Sequence, residues 1–478
     1  MRILLINPKC RLPTTFPLGL GYIASVLRED GFDVSVLDIN GFGYSEDEVE
    51  RVVRDSDFDL AGIGGLSSTY KYVKWLAALI KKYKPNSPII AGNMVSTAYP
   101  ELLLANSHID IAVVDEGELT VKDLAHTIKC NGNLKNVRGI FYKDNGTIVR
   151  TSGRERITNL DELPFPAWDL FPVEVYSRGS IISPASFGLR QMNISSVRGC
   201  PYECTFCSHP FGRSAYSRSA KSIVEEIKQL KLRFNVNFIN FSDDLFLINE
   251  KKVMEFCDLM LSQDINIKWS ASGRVNLVNE SLLMKMRRAG CVELSYGFES
   301  GAQIALDRMK KRVLVKQAKE AIAMTRKAGI KLSGSFIFGM PGETKETIKE
   351  TLDFIKRTCL PIYRFFYATP YPGTELYSIA KTMGRLRHDE DGYLESLGEM
   401  RTTFLVNLTD FSDNELVAMK KMAEMTARRN LGIMFRIAEF VENWQRRYVI
   451  VKQHLKEKGF ISTAGMFSSK ILARSKPR

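Results

Sequence analysis

The feature that most constrains the fold is an alternation of short apolar runs with helical stretches, found in two long parts of the chain. Between residue 1 and about residue 130, helical periodicity appears at Leu18–Glu29 and Lys71–Lys82. The apolar runs between and around them predict five buried strands, at Ile3–Ile6, Val34–Leu37, Leu60–Ile63, Ile89–Ala91 and Ile111–Val114. Strands that alternate with helices form a parallel sheet covered on both faces. We therefore expect an α/β part with a doubly wound, Rossmann-like (flavodoxin-like) sheet.

The same alternation returns between about residues 185 and 385. Six further strands are predicted there, at Asn193–Val197, Phe238–Ser242, Ile267–Ala271, Glu293–Gly297, Lys331–Phe338 and Tyr363–Ala368. Six parallel strands with intervening helices fit a partial (β/α)6 barrel. In such barrels, ligands gather at the carboxyl ends of the strands.

These patterns divide the chain into four predicted segments, which are residues 1–150, 151–184, 185–385 and 386–478. The second segment is rich in proline and aromatic residues, which interrupt regular structure and need somewhere to pack, so we expect it to follow the interface between the two α/β parts. The fourth segment has no strand pattern. Its amphipathic periodicity predicts helices at Leu416–Asn430 and Ile433–Arg447, in an extension that caps the mouth of the barrel.

Composition narrows the class of protein. The chain has 478 residues, of which 45% are hydrophobic and 25% charged, as in a globular protein of two or three domains. The sequence contains no apolar run of 18 or more residues, so no membrane-spanning helix is predicted. The N-terminus resembles a strand rather than a signal peptide. We therefore expect a cytoplasmic protein. Its eight cysteines then indicate a metal site rather than a set of disulfides.

The net charge is +13, and part of it is concentrated at the C-terminus. Between Arg428 and Arg478, twelve Lys and Arg residues face three Asp and Glu residues. Such a tail suits an anionic substrate, an acidic partner or peripheral contact with a membrane, and a solvated helical face is the simpler alternative. No nucleic-acid-binding motif accompanies the charge, so no nucleic acid is expected.

Three cysteines with the spacing C-x3-C-x2-C follow the first predicted strand of the barrel: Cys200, Cys204 and Cys207. Thiolates are the usual ligands of a [4Fe–4S] cluster, and three of them leave one iron open to an outside ligand. A structural zinc ion is the alternative, but it takes four protein ligands. His209 lies unusually close to the motif for that role, and Cys257 and Cys291 lie in apolar surroundings. The pattern therefore favours a cluster over zinc.

This spacing, with an aromatic residue before the last cysteine, resembles the radical S-adenosylmethionine (SAM) superfamily. The resemblance implies that SAM binds the open iron, and that one electron from the cluster cleaves SAM to methionine and a 5′-deoxyadenosyl radical. It also implies SAM contacts near the strand ends of the barrel, at Phe206, Asp243, Arg274, Glu299 and Ser335. For Arg274 and Glu299, a structural ion pair with each other is the alternative.

Glycines and small polar residues also follow the strands of the first α/β part, where they allow a ligand to approach the backbone. No G-x-G-x-x-G follows its first strand, which disfavours a nicotinamide cofactor. The arrangement resembles the cobalamin (B12)-binding domain that precedes many radical SAM domains. That resemblance implies cobalamin contacts at Pro17, Leu18, Gly19, Ser67, Ser68, Gly92, Asn93, Glu116 and Gly117.

The chain departs from one pattern of that family. Cobalamin modules with D-x-H-x-x-G after the first strand supply a histidine as lower cobalt ligand, but the loop between Asn7 and Gly21 contains no histidine. We therefore expect the cobalt to lack a histidine lower ligand. A purely structural α/β domain is the alternative to cobalamin binding.

Taken together, the chain resembles the class B radical SAM enzymes, which include cobalamin-dependent methyltransferases and the anaerobic magnesium-protoporphyrin ester cyclase group. The resemblance implies a methyltransferase that methylates an unactivated carbon or phosphinate centre through methylcobalamin. Two alternatives stay open, which are an oxidase or cyclase without methyl transfer, and a non-catalytic sensor of cobalamin. Polar residues at several strand ends facing one mouth favour catalysis. The expected partners are a small-molecule or lipid-like substrate and an electron donor such as flavodoxin or ferredoxin.

Overall fold

The computed structural model describes residues 1–10, 15–179, 184–186, 188–360, 362–386, 389–397 and 405–429. The predicted helix Ile433–Arg447 and almost all of the basic tail lie outside these residues. Within them, no helix is long and apolar enough to cross a membrane.

The first sheet has seven strands, which are β1 (Arg2–Asn7), β2 (Asp33–Asp38), β3 (Leu60–Gly64), β4 (Ile89–Gly92), β5 (Ile111–Val113), β6 (Ile140–Asp144) and β7 (Thr147–Arg150). Their spatial order is β2-β1-β3-β4-β5-β6-β7. The first five are parallel, and β6 and β7 add an antiparallel hairpin at the edge. The order 2-1-3-4-5 is that of a flavodoxin-like sheet, which confirms the predicted fold class.

Seven helices cover this sheet, which are α1 (Leu18–Glu29), α2 (Ile39–Phe42), α3 (Glu46–Asp55), α4 (Tyr70–Tyr83), α5 (Met94–Thr97), α6 (Pro100–Ala105) and α7 (Glu118–Lys129). Alternate residues of β1 point to opposite faces. Ile3 and Leu5 pack in the core that includes α1 and α7, whereas Leu4 and Ile6 pack in the core that includes α3, α4 and α6. The sheet is therefore buried on both faces, as its continuous apolar strands predict.

The second sheet has six parallel strands, which are β8 (Gln191–Ile194), β11 (Phe238–Phe241), β12 (Lys268–Gly273), β13 (Cys291–Glu299), β14 (Lys331–Phe338) and β15 (Ile362–Tyr367). Their order is β15-β14-β13-β12-β11-β8, so consecutive strands are neighbours and the sheet is open between its first and last strands. This is the expected partial barrel. Two short strands, β9 (Val197–Arg198) and β10 (Tyr216–Ser217), form a separate antiparallel pair around the cysteine segment.

The helices around the barrel are α9 (Ala220–Phe234), α10 (Glu250–Ser262), α11 (Glu280–Arg288), α12 (Gln303–Arg308), α13 (Val315–Lys327), α14 (Lys345–Thr358) and α15 (Glu375–Thr382). Helices α9, α10, α11, α13 and α14 pack on its outer face, whereas α12 and α15 also contribute to the core of the first sheet. For example, Trp269 of β12 meets Phe241 of β11 and Phe256 of α10 with ring centres 5.5 and 5.6 Å apart. Because side chains alternate along a strand, Ser270 and Ser272 then face the inside of the barrel.

The proline-rich segment contacts both α/β parts. It contains α8 (Val173–Gly179), and its Trp168 is 1% exposed. The amide of Ala167 donates to the carbonyl of Gly21 in α1 at 3.1 Å, and the Trp168 ring packs against Phe234 of α9 at 6.1 Å between ring centres. The segment therefore bridges one helix of the first sheet and one helix of the barrel.

The C-terminal extension contributes two helices within the described residues, α16 (Glu390–Ser396) and α17 (Asp413–Arg429). Helix α16 lies on α4, where Lys74 donates to Asp391 at 2.8 Å and to Glu395 at 2.7 Å. Helix α17 packs along β15, where the Lys420 ammonium lies 4.8 Å from the centre of the Tyr367 ring. The extension therefore contacts both α/β parts of the chain.

Candidate active site

The three cysteines lie on the loop between β9 and β10. All three are free thiols, and Cys204 is buried, Cys200 half-buried and Cys207 exposed. The surrounding protein atoms and the neighbouring cysteines raise the pKa of both Cys200 and Cys207. No three His, Cys, Asp or Glu side chains in the described part of the chain are placed to share one metal ion. A cluster differs from a single ion because its three cysteines bind three different irons.

Two carboxylates at the end of β11 brace the loop. Asp243 accepts hydrogen bonds from the amide and hydroxyl of Ser196, both at 2.5 Å, and from the amide of Val197 at 2.9 Å. Burial raises the pKa of Asp243 to about 6, although these hydrogen bonds lower it. Asp244 accepts from the amide of Gly199 at 2.8 Å. Asp243 therefore orders the chain just before the cysteines, and its predicted contact with SAM stays a prediction.

Arg274, at the end of β12, lies beside the central cysteine. Its Nη1 is 3.6 Å from the sulfur of Cys204, and its guanidinium centre is 3.4 Å from the centre of the Tyr202 ring. Its Nη2 donates to the carbonyl of Lys311, and within the described residues its buried Nε has no partner. The side chain thus puts a fixed positive charge next to a cluster ligand, with one donor still available.

Glu299, at the end of β13, pairs with a lysine that the sequence patterns did not single out. Its Oε1 accepts from Lys311 at 2.8 Å, both side chains are 8% exposed, and Ser335 donates to its Oε2 at 3.4 Å. The alternative of an Arg274–Glu299 pair is therefore wrong. The Lys311 ammonium also lies 5.7 Å from the centre of the Phe206 ring. The structure thus brings Phe206, Glu299 and Ser335 together beside the cysteine loop.

A register shift between β13 and β14 directs the Glu299 side chain toward the cysteine loop. The shift falls between Gly297 and Glu299, and Glu299 has a φ of 63°. A bulge of this kind bends the strand and re-aims a side chain. Lys310 and Arg312 also have positive φ, of 53° and 52°, so the loop turns Lys311 inward between two exposed neighbours.

The predicted cobalamin contacts share one edge of the first sheet. Each lies at or after the carboxyl end of β1, β3, β4 or β5: Pro17, Leu18, Gly19, Ser67, Ser68, Gly92, Asn93, Glu116 and Gly117. A Cβ added at Gly19 or Gly92 would meet nothing within 4 Å, so both leave open space at that edge. His126 pairs with Asp30 after α1, at the opposite edge. The edge where cobalamin is expected therefore has room for a ligand, and His126 of α7 does not lie there.

Glu116 has a different set of partners. Its two carboxylate oxygens accept from Arg198 of β9 and from the amide of Ile157, both at 2.9 Å. Glu118 accepts from the other Nη of Arg198 at 2.6 Å. The Glu116 carboxylate is thus used within the protein, and its contact with cobalamin stays a prediction.

These contacts place the two strand edges against each other. The side-chain amide of Asn193 in β8 exchanges two hydrogen bonds, both of 3.0 Å, with the backbone of Phe16 in the loop after β1. Arg156 donates to the carbonyl of Pro210, after the cysteines, at 3.1 Å and to Asp115, after β5, at 3.3 Å. The donor set fits the expected groups, with three free thiols for iron, an unpartnered Arg274 nitrogen beside them, and open glycines on the facing edge.

Comparison with known proteins agrees with the division into two α/β parts. The family model described as the radical SAM superfamily matches residues 194–355, and the one described as a B12 binding domain matches residues 9–125. An uncharacterized methyltransferase of Pyrococcus horikoshii is 33% identical over 394 residues, which cover 80% of this chain and 83% of that protein. The anaerobic magnesium-protoporphyrin IX monomethyl ester cyclase of Rubrivivax gelatinosus is 29% identical over 392 residues, or 79% of this chain and 69% of that protein.

A solved structure shares the fold. It is that of the radical SAM methyltransferase TsrM from Kitasatospora setae with cobalamin and a [4Fe–4S] cluster bound. The TM-score is 0.69 at 18% identity, over 81% of this chain and 79% of that one. The likeness therefore covers both the flavodoxin-like sheet and the partial barrel.

Proposed function

Because the chain belongs to the cobalamin-binding radical SAM enzymes, we propose that it transfers a methyl group from SAM to an unactivated carbon or phosphinate centre of a small molecule. The family's cofactors are a [4Fe–4S] cluster, SAM and cobalamin. When bound, the cluster supplies the electron that cleaves SAM to a 5′-deoxyadenosyl radical, and cobalamin carries the methyl group.

The overall reaction balances as follows. One substrate X–H, two SAM and two electrons give X–CH3, S-adenosylhomocysteine, methionine and 5′-deoxyadenosine. One X–H bond breaks and one X–CH3 bond forms, and the hydrogen ends on 5′-deoxyadenosine. The electrons come from a low-potential carrier protein, for which we propose flavodoxin or ferredoxin.

The observation that carries the proposal is the meeting of the cysteine loop with the edge of the first sheet. Arg198, two residues before Cys200, pairs with Glu116 and Glu118 at that edge. A reaction that needs the cluster and cobalamin at one substrate requires such proximity, because correct placement of the reacting groups supplies much of the rate. A lone α/β binding domain would not need it.

The chain's own residues have distinct proposed roles. Cys200, Cys204 and Cys207 hold the cluster, and Arg274 places a positive charge 3.6 Å from the Cys204 sulfur. Glu299, held by Lys311 and Ser335, offers an oriented carboxylate to SAM. We propose that residues 1–150 hold cobalamin, residues 185–385 hold the cluster and SAM, residues 151–184 link them, and residues 386–478 help to shape the substrate site.

The first test is mass spectrometry of SAM products after anaerobic reconstitution with cluster, cobalamin and a chemical reductant. SAM labelled with deuterium in its methyl group shows where the methyl goes. We expect 5′-deoxyadenosine, together with S-adenosylhomocysteine that forms only when cobalamin is present. Cys204→Ala should abolish the 5′-deoxyadenosine. The matched control is Cys257→Ala, because Cys257 is a fully buried cysteine of α10 outside the loop, and its loss should leave both products.

A second candidate function is an oxidative or cyclising reaction without methyl transfer. It is favoured by the similarity to the Rubrivivax gelatinosus cyclase. That match covers 79% of this chain, and the match to the Pyrococcus horikoshii methyltransferase covers 80%. Formation of 5′-deoxyadenosine with no cobalamin-dependent S-adenosylhomocysteine would select this reaction. Absence of both products from protein with a full cluster would contradict both proposals and favour a sensor.

A further inference from the structure

A buried group of charges joins the edge of the first sheet to the cysteine loop of the barrel. Nη1 of Arg198 donates to Glu116 at 2.9 Å, and Nη2 donates to Glu118 at 2.6 Å. All three side chains are 7% exposed or less. The guanidinium centre also lies 5.4 Å from the ring centre of Tyr22 in α1 and 5.1 Å from that of Phe211. We call Arg198, Glu116 and Glu118 the interdomain clamp.

The clamp lies between the two places where cofactors are expected. On one side, Glu116 and Glu118 flank Gly117 at the start of α7, which is part of the predicted cobalamin edge. On the other side, Arg198 is separated from Cys200 by a single residue. The clamp therefore connects the predicted cobalamin edge of the first sheet directly to the cysteine loop, so the position of one depends on the position of the other.

Both ends of the clamp are held by further hydrogen bonds. The Val197 and Gly199 amides, on either side of Arg198, donate to Asp243 and Asp244 at 2.9 and 2.8 Å. The second oxygen of Glu116 accepts from the amide of Ile157 at 2.9 Å. Since neither end can adjust alone, a displacement at Arg198 is passed on to the cysteine loop.

A buried ion pair of this kind is poor evidence for stability, because the cost of desolvating the charges offsets their attraction. What the planar guanidinium does supply is geometry, since each of its two nitrogens points at a different carboxylate in a fixed direction. Two charge-assisted hydrogen bonds in fixed directions restrict the position of the cysteine loop relative to the start of α7. The clamp is therefore better explained by positioning than by stability.

We propose that Arg198 is a positioning residue, which sets the separation between the cluster and cobalamin through Glu116 and Glu118. The proposal rests on the proposed function only in that both cofactors act in one reaction. SAM cleavage needs the cysteine loop and its neighbours, whereas methyl transfer to cobalamin needs the two edges in register. Loss of the clamp should therefore separate the two activities.

The test variant is Arg198→Lys in the full chain, reconstituted with cluster and cobalamin. Lysine keeps the charge but has one nitrogen, so it cannot hold both carboxylates in the same geometry. The matched control is Arg218→Lys. Arg218 forms an ion pair with Glu226 at 5% and 0% exposure, and all its hydrogen bonds stay within the barrel. Its guanidinium centre also lies 5.5 Å from the ring centre of Phe165 in the proline-rich segment. Arg218→Lys therefore perturbs a similar buried ion pair whose side-chain hydrogen bonds do not reach the first sheet.

Two quantities are measured for each protein. The first is the ratio of cobalamin-dependent S-adenosylhomocysteine to 5′-deoxyadenosine. The second is the distance between the reduced cluster and cobalt(II) cobalamin, both paramagnetic, from their dipolar coupling in pulsed electron paramagnetic resonance. A misplacement of about 1 Å can cost about a hundredfold in rate. For Arg198→Lys we expect the ratio to fall at least about tenfold, with a broadened distance distribution. Arg218→Lys should match the wild type in both.

Equal loss of both products in Arg198→Lys, with the wild-type distance distribution, would overturn the proposal. So would the same fall in ratio in Arg218→Lys. If Arg198→Lys does not fold, Glu118→Ala removes one of the two hydrogen bonds and leaves Arg198 paired with Glu116. It should show the same fall in the ratio and the same broadening of the distance distribution, and wild-type values of both would overturn the proposal. If the wild type forms no S-adenosylhomocysteine, the methyltransferase proposal fails, and the measured distances alone decide the role of the clamp.

Discussion

Replacing Gly199 by alanine should disturb the cysteine loop much more than its small size suggests. Gly199 lies between Arg198 and Cys200 with a φ of +88°, a conformation that L-residues adopt only under strain. A Cβ added there would overlap the carbonyl oxygen of Ser214 and lie 3.2 Å from that of Phe211. Both atoms belong to backbone, which cannot rotate out of the way as a side chain can.

The expected magnitude has two parts. Holding alanine at this φ costs about 1–2 kcal/mol, and overlap with fixed atoms adds about 1–3 kcal/mol, as in other overpacked sites. Gly146 isolates the first part, because its φ is +83° and an added Cβ would meet nothing within 4 Å. Gly199→Ala should therefore be less stable than Gly146→Ala by about 1–3 kcal/mol. For a domain of about 200 residues, the size of the barrel, that corresponds to a melting temperature lower by about 2–12 °C.

The assay compares thermal unfolding of the two alanine variants without cluster, and then iron content after reconstitution. Gly146→Ala should take up as much iron as the wild type, because its turn joins β6 and β7 far from the cysteines. Gly199→Ala should take up clearly less. Equal melting temperatures, or full iron content in Gly199→Ala, would refute the argument that the Ser214 carbonyl requires glycine at this position.

Three further predictions concern buried charges. Burial raises the pKa of Glu343 from 4.5 to about 7, so the contribution of this carboxyl group to stability is full below pH 4.5 and is lost as the pH rises to 7. Glu343→Gln should remove this contribution, about 3 kcal/mol at about 1.4 kcal/mol per pH unit, as measured by the difference in unfolding free energy between wild type and variant from pH 5 to pH 8. Lys311→Met leaves the Glu299 carboxylate buried without a cation and should lower the free energy of unfolding by about 3–5 kcal/mol. Adding Glu299→Gln should restore most of this free energy in the same unfolding assay. No recovery in the double variant would contradict the pairing. Arg274→Gln removes a positive charge beside the cluster, so the reduction potential, titrated by electron paramagnetic resonance, should become more negative; an unchanged or higher potential would contradict that role.

Most of the fold could be predicted because each strand of the two parallel sheets is a local apolar run. Helix α1 and strand β14 match their predicted bounds, Leu18–Glu29 and Lys331–Phe338, residue for residue. The hairpin of β6 and β7 was missed, although Asn145-Gly146 between two alternating segments is a strong signal for such a turn.

The partners of the site residues could not be predicted in the same way. The cysteines and the strand-end carboxylates are visible in the sequence because their spacing and position are local. Lys311 meets Glu299 only through a bulge and a loop with two left-handed residues, and no local pattern signals that turn. Arg198 and Glu116 are 82 positions apart and belong to different α/β parts of the chain. Their pairing depends on how the two sheets dock, which is a tertiary property.

Backbone strain gives an independent indication of where the function lies. Ten non-glycine residues in the described part of the chain have positive φ, and six of them are Asn or Asp, which tolerate this conformation. The other four are Glu299, Lys310, Arg312 and Cys359, and three of these surround the ion pair beside the cysteine loop.

Each such residue costs about 1–3 kcal/mol, and it persists only where the surrounding structure fixes it. The bulge fixes Glu299. The loop that contains Lys310 and Arg312 is held by the amide of Thr205, which donates to the carbonyl of Met309 at 3.0 Å. The strain is thus tied to the cysteine loop itself, since Thr205 lies between Cys204 and Cys207. A fold that only needed to be stable would gain by relaxing these three residues, so their concentration here supports the assignment of this edge as the active site.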